Sequence, residues 1–113
     1  MRKDKRIKKI CEALKKSGAI ADFRYDHFKQ SEVVPPPFAV YRRVAPSNFS
    51  ADGVVYKRGD NVDLELYAST PDEMEKLMEQ VEAKLDKAEI FYNLTADTVY
   101  IDSEDFYESL YEI

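Results

Sequence analysis

His27 follows Asp26 in the stretch Phe23-Arg24-Tyr25-Asp26-His27-Phe28. An imidazole beside a carboxylate is the smallest unit of general acid–base chemistry, because the carboxylate orients the ring and supports its charge. His27 is the single histidine of the chain. A multi-histidine metal site and a relay with spare ligands are therefore out of reach, and the pair reads as an ordinary surface or half-buried one. Cys11 is also alone. It falls on an apolar helical stripe, where a thiol behaves as a small buried hydrophobe and not as a nucleophile. Asp102, Glu104 and Asp105 offer oxygen ligands for a hard cation. They lack the spacing of an EF-hand loop and its glycine, so they read as a solvated turn. The chain has no GxGxxG, GxxxxGK[ST], CxxC or GxSxG. Arg58-Gly59-Asp60 spells an adhesion tripeptide, but Gly-Asp-Asn is what a hairpin turn demands. The sequence thus assigns no catalytic, metal or cofactor residue, and no enzyme is expected.

Charge is the more informative signal. Arg2, Lys3, Lys5, Arg6, Lys8 and Lys9 form a basic patch able to contact phosphates. A small nucleic-acid-binding module using this helix is therefore one alternative, although a pI near 4.9 is low for such a domain. Residues 1–59 hold 14 basic and 6 acidic residues, whereas residues 60–113 hold 3 basic and 16 acidic. Such a chain can present faces of opposite sign, which steer association and set register. Segregated solvated faces without a partner fit the same numbers.

At 113 residues, with 44% hydrophobic and 35% charged positions, one folded domain over 1–113 is expected. One cysteine permits no internal disulfide, and the basic start lacks a signal-peptide apolar core. No apolar run approaches a membrane span. Synthesis in a reducing cytoplasm, with no membrane partner, is the expectation.

The elements follow from periodicity. Ile7, Ile10, Cys11 and Leu14 predict a helix over 4–17, stopped at Ser17-Gly18. Strands are predicted at 19–28, 38–44, 53–58 and 62–67, the last two as an antiparallel hairpin. Thr70, Pro71 and Glu73 make a capping box for a second helix, with an apolar stripe from Met74 through Leu77, Met78, Val81 and Leu85 to Ala88. Two short strands, 91–95 and 98–101, and a paired terminal strand, 106–113, complete the chain. The fold class expected is α+β: a mainly antiparallel twisted sheet with two helices packed on one face. Pro35-Pro36-Pro37 stiffens the approach to the second strand and blunts a sheet edge there.

The series PPPFAVYRR, SNFSADGVVYKRGDNVDLELY, a capped helix, AEIFYNL and a terminal FYESLYEI resembles small minor tail proteins of tailed phages and prophages. The resemblance covers residues 35–113 and points to tail-terminator or tail-completion proteins of the head–tail joint. It implies an α+β subunit that forms a homo-oligomeric ring, a hexamer in the resembled proteins. That ring sits on the tail tube, stops its growth and meets the head connector. The implied partners are further copies of the chain, the major tail protein and connector proteins, with DNA passing by unbound. The implied locations are the bacterial host cytoplasm during assembly and then the virion. A head-completion or other connector protein is the nearest alternative. Under this resemblance Pro46, Asn48, Phe49, Ser50 and Asp52 are candidate interface residues, since an aromatic in a polar loop is a natural anchor. Phe49 folding back on the sheet is the competing reading.

Overall fold

The computed structural model describes residues 2–45 and 61–113. The candidate interface residues Pro46, Asn48, Phe49, Ser50 and Asp52, and the strand expected at 53–58, lie outside the described residues.

Helix α1 spans Lys3–Ser17. Its buried residues are Asp4, Ile7, Ile10, Cys11 and Leu14, the stripe that the spacing predicts plus one carboxylate in the first turn. Gly18 ends the helix at φ 86°, a left-handed position that glycine adopts without a Cβ penalty, and its N–H reaches the Leu14 and Lys15 carbonyls. Five strands follow in the order β1 Asp22–Tyr25, β2 Phe38–Val44, β3 Asn61–Ala68, then helix α2 Pro71–Lys87, then β4 Asn93–Ile101 and β5 Phe106–Glu112. In space they run β1-β2-β3-β5-β4. The β1–β2 pair is parallel and the other three pairs are antiparallel. The fold is α+β, as expected.

The central strand β3 alternates strictly. Val62, Leu64, Leu66 and Ala68 are fully buried, while Asn61, Asp63, Glu65 and Tyr67 face the other way half-buried. Both helices lie on the buried side. Ile7 and Leu14 of α1, Met74, Leu77, Val81 and Leu85 of α2, and Tyr111 of β5 close one core over it. Burying each such aliphatic side chain contributes about 1.5–3 kcal/mol.

Helix α2 starts as its sequence dictates. Thr70 Oγ1 accepts the Glu73 N–H at 3.1 Å, and Pro71 occupies the first turn, where its missing N–H costs nothing. The returning bond differs from the expected box: Glu73 Oε1 accepts from the Ser69 N–H at 2.8 Å, one residue before the cap.

Three expectations are corrected. The first strand is only Asp22–Tyr25, not 19–28. Asp26 takes φ 70°, which ends the extended path, and Ile20 is a core residue outside the strand. The two short strands around Ala96-Asp97 are one strand, β4, with register shifts on both sides of Ala96. Thr98 sits at φ 53° in the irregular part, where its N–H donates to Ser109 Oγ at 2.9 Å instead of to the ladder. The prolines do not blunt an edge. They lead into β2, an interior strand, because β1 pairs on its far side, and the Pro37 carbonyl accepts the Ala21 N–H at 2.7 Å.

Leu66→Ala should lower unfolding stability by about 2–5 kcal/mol, the cost of transfer plus a cavity between two helices and a sheet. Thr70→Ala should cost about 1 kcal/mol through the lost cap. Urea denaturation monitored by circular dichroism reads both. Equal losses at the two sites would contradict this placement of the core.

Candidate interaction surfaces

The structure sorts the basic patch into three roles. Arg6 is half-buried, and its Nη2 donates to the Ala88 carbonyl at the end of α2 at 2.5 Å, so it locks the two helices together. A cation at a helix C-terminus also meets the negative end of the helix dipole. Arg2 lies 3.7 Å from the Asp4 carboxylate, and Lys3 is half-buried. Lys5, Lys8 and Lys9 are exposed. Lys15 reaches Asp22 of β1 at 3.0 Å and so marks the outer flank of α1. Lys8, two turns earlier, shares that flank by helical periodicity, while Lys5 turns further toward solvent and the exposed Glu12 lies between the two.

On α2 the opposite sign gathers at the opposite flank. Glu75, Glu79 and Glu82 line a groove of about 560 Å³ together with Met78 and, from β4, Asp97 and Thr98. Glu82 accepts the buried Tyr111 hydroxyl at 2.6 Å. Burial, then that hydrogen bond, pushes the Tyr111 phenol up, so it stays a neutral donor. Among the described residues no ion pair is formed by Glu75, Glu79, Glu82 or Asp97. On the one helix-covered face, α1 contacts β1, β2 and β3, and α2 contacts β3 and β5, so among the described residues the basic and acidic helices flank opposite ends of the strand order.

Both outer strands expose apolar side chains. Tyr25 on β1 is half exposed, as are Val99 and Tyr100 on β4, with Leu94 slightly less so, and Phe91 just before β4 is 93% exposed. An isolated exposed apolar residue such as Tyr25 needs no explanation, but several along one outer strand, as on β4, mark a candidate contact surface. Sequence reasoning missed these positions. The apolar, β-favouring run Val99-Tyr100-Ile101 was its one available signal, and such a run does not tell an edge strand from a central one.

The sheet face away from the helices carries a second cluster. Phe38 stacks on Tyr67 at 4.7 Å between ring centroids, and Phe28 and Phe106 close on Phe38 edge-on at 5.1 and 5.7 Å. Residues 26–34 pass over this face and line a hollow of about 620 Å³ with Phe38, Tyr67 and Phe106. Ion pairs hold the strap. Arg24 Nη2 meets Glu32 at 2.8 Å, and Arg42 meets Asp26 at 3.2 Å while also pairing with Glu65. His27 Nδ1 lies 2.8 Å from Asp26 Oδ2, and both are exposed, so this pair is a surface hydrogen bond beside the strap's ion pairs. Its hydrogen bond to His27, and then that to Arg42, holds the Asp26 carboxyl below its usual range.

Asp102, Glu104 and Asp105 form the β4–β5 turn, where Asp105 accepts the Tyr100 hydroxyl at 2.8 Å. Among the described residues no group of three or more His, Cys, Asp or Glu is placed to hold a metal ion. No described helix is long and apolar enough to cross a membrane. Cys11 is buried, and burial, then Glu12, pushes its thiol up to about 12. No protein-family model, no curated protein and no solved structure matches the chain.

Asp63 stands directly opposite Glu112 on the face away from the helices. Burial, then Glu112, raises its pKa. The unfolded chain releases this proton first, so ionisation works against folding. That penalty is complete above the folded pKa and gone below the unfolded one. Asp63→Asn should therefore stabilise the protein at pH 7 by up to about 1 kcal/mol. The gain should vanish below pH of about 4, where the carboxyl is protonated in both states. Urea titrations at pH 7 and pH 3 make the comparison, and equal gains at both would refute it.

Proposed function

We propose that this chain is a non-enzymatic structural protein of the phage or prophage head–tail joint. It acts as a tail terminator or tail-completion protein, a ring of copies that caps the tail tube. The observation that carries the reading is the opposite charge of the two helix flanks over one sheet, with Tyr25 exposed at one outer strand and Leu94, Val99 and Tyr100 at the other. A surface that is self-complementary between two different patches assembles head to tail, and such contacts close into rings when the rotation per copy allows. The sequence motifs over residues 35–113 supply the context of that ring, with the major tail protein below it and the connector above. The α+β class agrees with what those motifs imply.

In this reading the chain works by geometry and charge. Its task is to end a polymer, so the face that meets the tube must match the tube's growing end, and the face beyond must not. The abundant carboxylates would keep passing DNA from adhering, because like charge repels phosphate. The finished ring belongs to the virion.

The test uses tail tubes polymerised from the major tail protein of the same phage or prophage. Adding the purified protein should stop elongation and leave an extra ring at one tube end in negative-stain electron microscopy. Tubes that continue to lengthen with bare ends at saturating protein would overturn the proposal.

A further inference from the structure

We propose that copies of this chain join through one contact, in which the acidic α2–β4 groove of one copy takes the lysine flank of α1 on the next. The exposed apolar side chains of β4 and Tyr25 of β1 meet beside it. This assignment rests on the self-assembling reading above and names the surfaces that such assembly uses.

Four observations converge. First, β1 and β4 are the outer strands of the sheet among the described residues, so each lacks a neighbour on one side. Second, the two borders differ in sign: Lys5 and Lys8 on one, and Glu75, Glu79, Glu82 and Asp97 on the other. Third, Glu75, Glu79 and Asp97 form no ion pair within the described chain, and neither do Lys5 and Lys8. Each set lacks the counter-charge that the other provides. Fourth, exposed apolar side chains accompany the charges on both borders, with Tyr25 on β1 and Leu94, Val99 and Tyr100 on β4.

A second copy is the occupant these features select. One border of this molecule is the charge complement of its other border, and a two-fold contact through either border alone would set like charge on like. A head-to-tail contact buries the exposed apolar side chains of β4 and Tyr25 while the rim ions pair, the usual division of labour at an interface. The register shifts in β4 leave Val99–Ile101 as its regular upper segment, comparable in length with the four-residue β1.

The experiment uses the full chain with one added cysteine at each border. Ala21→Cys and Val99→Cys change exposed positions, and native Cys11 stays because its buried thiol does not react. A short bismaleimide should cross-link a mixture of the two variants into pairs holding one of each. Neither variant alone should give a comparable yield. Adding Glu75→Lys and Glu79→Lys to both cysteine variants should cut the yield about tenfold, because like charges then face each other. Adding Lys5→Glu and Lys8→Glu as well should restore it, a rescue that misfolding would not give. Equal yields from single variants, or no rescue, would overturn the contact. Tube capping without the mixed adduct would leave the head–tail reading standing and remove this one. The adduct without capping would do the reverse.

Discussion

Both helices of this protein touch one strand, β3. β3 is the place where α1, α2, β2 and β5 all meet, and its four inward side chains are shielded completely. A one-residue slip of β3 would turn Asp63, Glu65 and Tyr67 into that core and expel Val62, Leu64 and Leu66. The register of β2 and β5 is therefore fixed from the centre outward. So is the position of each helix, since the apolar stripe of each has no other surface of that size to cover. The pairing between Val62 and Ile113 extends this control to the last residue: each N–H reaches the other's carbonyl at 2.8 to 3.0 Å.

The parts of the fold legible in the sequence are those governed by local rules. The α2 stripe, its Thr70-Pro71 start and the Gly18 stop each depend on residues within one or two helical turns. The β3 alternation is equally local, and its meaning survived because one face is dry. What escaped was set by non-local partners. Nothing within Ala19–Phe28 says that only Asp22–Tyr25 will pair, or that the pairing is parallel to Phe38–Tyr41 across a connection that hosts Phe28. Ala96-Asp97 looks like a turn to any local reading. It is a strand irregularity because Ser109, on the neighbouring strand, accepts the N–H that the ladder leaves unused.

The interaction surfaces show the same division. The excess of basic residues in the first half and of acidic residues in the second is plain in the sequence. Its consequence in space is not, because a chain can fold its halves through each other. Here β3 divides the described residues: the strands before it in sequence pair on one of its edges, and those after it on the other. Arg6 shows how composition alone misleads. It belongs to the basic run, yet its guanidinium is occupied by the Ala88 carbonyl and joins the two halves. Lys5 and Lys8 in the same run face solvent.

The interruptions in β4 bear on how this protein behaves at high concentration. An unprotected outer strand with apolar side chains is the usual seed of amyloid-like growth, which needs a long unbroken row of backbone donors and acceptors. β4 offers regular pairing only in short pieces, because the backbone around Ala96 and Thr98 steps out of line. An incoming strand from an unfolded or misfolded chain finds no continuous template there. The same edge can then stay apolar without offering a template for runaway β-fibre formation.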